Sequence, residues 1–184
     1  KKIVYRNKSK LNDDIYVTGN LGDSYLGLLV LKNKIRLKKK LSNYFINQHY
    51  KPEVKYSLIS YLNKFATSSI DLSDGLISDL EKLTNVQKNS YHLFFDEIPI
   101  SKNLAAVIKL KNLSKKNLIS KGDDYQILFT ANINKRRIIN SVSKNLGVKI
   151  TKIGRINSGA SKSAIINQKG KQIVIKNKGY THQF

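Results

Sequence analysis

Eight of the nine aspartates in this sequence, all but Asp96, lie in or beside four short turn-like segments, and three of those segments contain glycine. The segments with glycine are TGNLGDS (18–24), SIDLSDGL (69–76) and SKGDDYQILFT (120–130). In the second, Asp71 and Asp74 stand three apart around Ser73, just before Gly75. Two carboxylates where a strand runs into a helix can hold a divalent cation, and the amides of a helix N-terminus favour phosphate. A capping role fits the same residues, since Asp and Ser are both preferred N-caps. In the third segment Asp123 and Asp124 are adjacent acids that repel each other; a solvated turn tolerates such a pair, and so does a site for a cationic or donor-rich ligand. In TGNLGDS, Asp23 or Ser24 can cap the next helix while the glycines permit tight backbone geometry.

These segments need elements to position them, and the patterning supplies them. DIYVTG (14–19) alternates like a short strand, and a helix is expected from near Asp23. KPEVKYSLISYLNKF (51–65) reads as an amphipathic helix with Pro52 in its first turn and Val54, Leu58, Ile59 and Leu62 apolar. A strand SSIDL then runs into a helix that begins inside the aspartate motif and carries Leu76, Ile77, Leu80 and Leu83 on one face. Strands are expected at 91–97 and 125–131 and helices at 101–110 and 134–147, the latter closed by Gly147. VKITKIGRI, SAIINQ and KQIVIK read as strands, the last two as a hairpin. Strands and helices alternate, so the expected fold is α/β (α+β), a single mixed sheet covered by helices.

Composition narrows the chemistry further. The chain has 184 residues, 40% of them hydrophobic, enough for one domain with a real core. It contains no cysteine, which excludes disulfides, thiolate metal sites and thiol catalysis within it. His49, His92 and His182 are too scattered for a zinc cluster. No apolar run reaches a membrane span and the start lacks a signal-peptide core, so a cytoplasmic location is expected. Methionine is absent, even at position 1, so one piece of a longer protein is expected. A net charge of +22 raises a nucleic-acid-binding module as the alternative from another class. Lysines spread through almost every segment, and five arginines without a ladder, argue against specific nucleic-acid recognition.

Taken together, DDIYVTGNLGDSYLGLLVL, SSIDLSDGLISDL and GDDYQILFT, in this order, resemble the C-terminal half of thiamine-monophosphate kinase. The end NKGYTHQF is similar to that family's Gly-aromatic-x-His-x terminus. TGxxGDS alone is shared across the wider aminoimidazole ribotide synthetase-like superfamily. The resemblance implies that residues 1–184 form a C-terminal ATP- and substrate-binding domain, like that of aminoimidazole ribotide synthetase, behind an N-terminal dimerisation domain absent from the chain. It implies ATP-dependent phosphorylation of thiamine monophosphate to thiamine diphosphate with Mg2+, in a homodimer when complete, and an isolated half that is inactive. Residue by residue, it makes Asp71 and Asp74 magnesium ligands, Ser73 and Arg6 nucleotide contacts, and Asp123 and Asp124 contacts to the cationic thiamine substrate. Asp123 replaces the family's Glu and shortens that reach by one methylene. Asn177 stands where some members place an aromatic ring against the substrate. Another ATP-using member of the same superfamily is the alternative, and GDDYQILF argues against it.

Overall fold

The computed structural model describes residues 3–175 and residue 179. In chain order its elements are β1 (Asp14–Thr18), α1 (Asp23–Leu31), α2 (Lys39–Tyr50), α3 (Tyr56–Phe65), β2 (Ala66–Asp71), α4 (Leu76–Thr84), β3 (Ser90–Phe94), α5 (Lys102–Lys111), α6 (Lys115–Ile119), β4 (Ile127–Ala131), α7 (Arg136–Leu146), β5 (Ile150–Asn157) and β6 (Ala164–Ile166).

β1 is buried at all five positions, and the alternation of its side chains feeds two cores. Ile15 and Val17 enter one core with Leu76, Ile77, Leu80 and Leu83 of α4. Tyr16 enters the other, stacked on Phe129 and packed among Leu58, Leu62 and Phe65 of α3 and Ile139 and Val142 of α7. Each fully buried side chain of this size contributes about 1.5–3 kcal/mol. Asp14 shares the Tyr16 face, and its buried carboxylate takes both Nε and Nη2 of Arg136 at 2.6 and 2.9 Å, which ties α7 to the central strand. A third cluster, with Leu26, Phe45, Leu104, Val107 and Leu118, joins α1, α2, α5 and α6.

The described residues form one six-stranded sheet in the order β2-β4-β1-β5-β3-β6, antiparallel throughout except between β3 and β6. This is the expected single mixed sheet with helices. β1 and β2 flank β4 and oppose it, so the ends of β1 and β2 and the start of β4 lie at the same end of the sheet.

Local departures from the expectation have physical causes. α3 starts at Tyr56, so Pro52 is outside it; Val54 and Ile59 are exposed while Leu58 and Leu62 carry the packing. α2 is an element that the sequence analysis did not name, although Leu41, Tyr44 and Phe45 fall at helical spacing; Phe45 is its one buried residue, with Leu41 and Tyr44 packed against the same cluster. It docks closely because α1 presents Gly27 to it: a Cβ there would overlap the Phe45 carbonyl. β4 begins two residues later than expected, after the positive φ of Asp123 and Tyr125 interrupts regular extension. The expected hairpin partner of β6 contributes an isolated bridge, Ile166 with Gln172.

Candidate functional site

The three glycine-containing segments meet at that end of the sheet. Loop 72–75, after β2, lies beside loop 122–126, before β4, and prolongs their ladder. The Leu72 N–H donates to the Gln126 carbonyl at 2.9 Å, Tyr125 N–H to the Leu72 carbonyl at 2.9 Å and Asp123 N–H to the Ser73 carbonyl at 3.0 Å. Only glycine allows this approach: a Cβ on Gly122 would overlap the Ser73 carbonyl, one on Gly75 would overlap the Ser120 carbonyl, and their φ values are +79° and +123°. The 18–24 segment is joined by Thr18, whose hydroxyl donates to Gln126 Oε1 at 2.9 Å and accepts the Ile127 N–H at 2.9 Å. It is joined again by the Gly22 N–H, 3.0 and 2.9 Å from the two carboxylate oxygens of Asp124.

Asp71 ends β2 opposite Ile127 and is exposed. It lines a cleft of about 840 Å³ together with Tyr56, Ile59, Ile70, Tyr125 and Ile127. Asp74 and Ser73 are half-buried in the loop, and neither caps α4, whose N-cap is Gly75 with no side-chain cap bond. Likewise Gly22, not Asp23 or Ser24, is the N-cap of α1. Asp23 is buried instead between helices, accepting the hydroxyls of Tyr44 and Ser101 at 2.8 Å each. Its carboxyl is pushed above the usual range by burial, against the pull of those two bonds.

The amides that could have greeted a phosphate are occupied from inside. Asp79, fully buried on α4, accepts the N–H groups of Ser73, Asp74 and Gly75 on one oxygen at 3.0, 3.0 and 3.1 Å. Lys82, one turn on, donates to the other Asp79 oxygen at 2.8 Å and also to Asp74. Burial opposes the Lys82 charge, yet these bonds hold its ammonium above the ordinary lysine range. Asp79 and Lys82 are the site residues that sequence reasoning missed. The signal in the sequence is an acid in the first turn of α4 with a lysine three residues on, a spacing that pairs the two on one helix face.

Asp123 is half-buried with φ +62°, at the mouth of the loop pair. Asp124 faces inward, 7% exposed, and burial pushes its carboxyl up to about 8, against the Gly22 bond. Arg6 is exposed in a turn next to Tyr5, whose carbonyl accepts the Ser69 N–H of edge strand β2 at 3.3 Å. Gly179 lies against the same loop: a Cβ there would overlap the Asp74 carbonyl and Ser78. Asn177 lies outside the described residues. The structure therefore gathers Asp71, Ser73, Asp74, Asp123 and Asp124 at one end of the sheet. Among the described residues no three His, Cys, Asp or Glu side chains converge as a metal site, and no helix is long and apolar enough to cross a membrane.

No family model matches the chain. A thiamine-monophosphate kinase of Buchnera aphidicola subsp. Schizaphis graminum is 38% identical over 183 residues, covering 99% of this chain and 56% of that protein. The crystal structure of thiamine-monophosphate kinase from Stenotrophomonas maltophilia K279a superposes with a TM-score of 0.77 at 26% identity, over 92% of this chain and 54% of that one. AaThiL complexed with AMPPCP and TMP shares the fold, with a TM-score of 0.78 at 24% identity, over 97% of this chain and 54% of that one. The chain spans about half the length of the curated relatives it matches. Over nearly all of its own length, this chain is a relative of the thiamine-monophosphate kinases and corresponds to about half of one.

Proposed function

We propose that this chain supplies the C-terminal, ATP- and substrate-binding half of a kinase that converts thiamine monophosphate to thiamine diphosphate. The observation that carries the reading is the convergence of the three glycine-containing segments at one end of the sheet, in a chain 38% identical to such a kinase over 183 residues. The capture of a fold neighbour with AMPPCP and TMP supports a nucleotide and thiamine monophosphate as the ligand pair. Half of a kinase site is an incomplete one. The remaining metal ligands, the dimer contacts and a nucleotide-handling segment are assigned to the part of the relatives that this chain does not cover. An ATP-dependent biosynthetic step accords with a cytoplasmic location.

Magnesium suits the residues present. Asp71 and Asp74 offer hard carboxylate oxygens, and the Lys82 ammonium already rests on Asp74 as a stand-in cation. Magnesium commonly takes one or two carboxylates together with substrate phosphates and water, so two carboxylates from this half fit part of such a shell. Its chemistry there would be to offset charge on the phosphates.

The chain's own residues orient the reactants. Arg6 and Ser73 are assigned to the nucleotide; Ser73 acts through its side chain, because its amide is held by Asp79. Asp123 is assigned to the cationic thiamine, and Asp124, tied to Gly22, holds the loop that presents it. In the reaction a terminal phosphate oxygen of thiamine monophosphate attacks the γ-phosphorus of ATP in line. The bond to the β–γ bridging oxygen breaks, and ADP leaves. No phosphoenzyme forms. Such transfer depends on positioning and charge compensation rather than covalent catalysis.

The test is a chimera in which this chain replaces the equivalent half of the Buchnera relative. Thiamine diphosphate formation from ATP and thiamine monophosphate is followed by chromatography. The chimera is expected to turn over and the chain alone to give no product. A folded chimera without activity, or equal turnover by the chain alone, overturns the reading.

A further inference from the structure

We propose that Lys82 is a built-in counter-cation of the Asp74 loop, which a divalent ion must displace from Asp74 in order to bind there. This rests on the reading of Asp74 as a metal ligand. The Lys82 ammonium bridges two carboxylates that differ in kind. Asp79 is fully buried and immobilised, its other oxygen gripping the amides of residues 73–75. The Asp74 side chain is 17% exposed and that of Lys82 is 40% exposed, so this second contact lies at the solvent boundary. A cation arriving at Asp74 therefore meets an occupied carboxylate.

The geometry also says what happens on displacement. Lys82 can release Asp74 and keep its 2.8 Å bond to Asp79, because three ammonium hydrogens serve either partner independently. The loop does not collapse, since the Asp79 oxygen that holds its amides is not the one Lys82 uses. Lys82 thus shields the carboxylate in the metal-free protein and yields it without loss of loop shape. It is a positioning residue that sets metal affinity from outside the ligand set.

The probe is Mn2+ alone, with free ion followed by electron paramagnetic resonance in the full chain. Lys82→Met, which keeps the aliphatic stem, is expected to tighten binding about 1.5- to 5-fold, the range set by losing a partly exposed ion pair. Lys82→Arg retains the charge and should bind as wild type does. Asp74→Asn should weaken binding, and adding Lys82→Met to it should give no gain. A second measurement needs no variant: saturating Mg2+ should raise acetylation of Lys82 relative to Lys88 in the wild-type chain, read by mass spectrometry. Unchanged acetylation, or a Lys82→Met variant that binds no tighter while Asp74→Asn binds more weakly, overturns the displacement and leaves Asp74 as a ligand. Binding indifferent to Asp74→Asn removes Asp74 from the ligand set and the inference with it.

Discussion

The Gly22 amide sits on the Asp124 carboxylate, 3.0 and 2.9 Å from its two oxygens, and bridges segments 102 residues apart. The first glycine-containing loop is thereby fastened to the third. The carboxylate that does this is buried, so the bond is made at the expense of solvation.

That expense is pH-dependent. The Asp124 carboxyl is raised from 3.8 to about 8 by burial. A raised folded-state value means the folded form holds the proton more tightly. The contribution to stability is therefore full below about 4 and is lost as pH rises towards 8. Asp124→Asn keeps an acceptor for Gly22 without a charge. It should gain stability relative to wild type as pH rises from 4 to 8, by a few kcal/mol at most, and level off above that. Urea denaturation across this range checks it; a difference independent of pH would contradict it.

Asp79→Ala should be among the most damaging single changes at the site. It leaves three loop amides without their acceptor and removes one of the carboxylates paired with Lys82. A loss of about 3–5 kcal/mol is expected, as for a broken buried charge network. Hydrogen exchange at Ser73, Asp74 and Gly75 should accelerate well beyond that of the amides within α4.

Asp71→Asn and Asp74→Asn should separate folding from catalysis. Asp71 is exposed at a strand end, and its loss should leave melting within about 0.5 kcal/mol of wild type. Asp74→Asn removes an ion pair with Lys82 worth about 1 kcal/mol or less. In the active chimera, both should cut turnover at least about 100-fold, a loss of several kcal/mol in the barrier, and shift the magnesium titration. Wild-type turnover and magnesium dependence in both would return these residues to a purely structural role.

Gly122→Ala combines a positive φ with backbone overlap at Ser73. Strain alone costs about 1 kcal/mol or more, and the overlap forces the two loops apart. The variant should melt measurably lower. In the chimera it should also raise KM for thiamine monophosphate, because Asp123 moves with the loop.

Lys32, Lys34, Arg36, Lys38, Lys39 and Lys40 are all exposed around the α1–α2 turn, a denser basic run than lysines scattered along the chain would give. Binding to DNA should still be weak, insensitive to sequence and lost between low and physiological salt, as charge alone dictates. Fluorescence anisotropy at several salt concentrations checks this; tight, sequence-selective binding at about 150 mM salt would contradict it.

Local chemistry was legible in the sequence. Alternation in DIYVT marked β1, the spacing of Leu76, Ile77, Leu80 and Leu83 marked the buried face of α4, and Gly147 closed α7 as expected. The motifs also announced themselves, since scarce acids beside glycines at strand ends are a pattern that neighbouring residues reveal. Tertiary structure alone decided which aspartates face outward. Asp23 and Asp124 carry the same signals as Asp71 and Asp74, yet they are buried, one against Tyr44 and Ser101 and the other against Gly22. The filling of the loop amides by Asp79, and the seating of Lys82 on Asp74, depend on the turn geometry at Gly75, which residue types do not specify. α2 shows the same division: Leu41, Tyr44 and Phe45 fall at helical spacing in its sequence, but its close docking rests on Gly27, on another helix, which leaves room for its backbone. Periodicity and turn chemistry act over a few residues and can be read along the chain, whereas burial of a carboxylate depends on partners many tens of residues away.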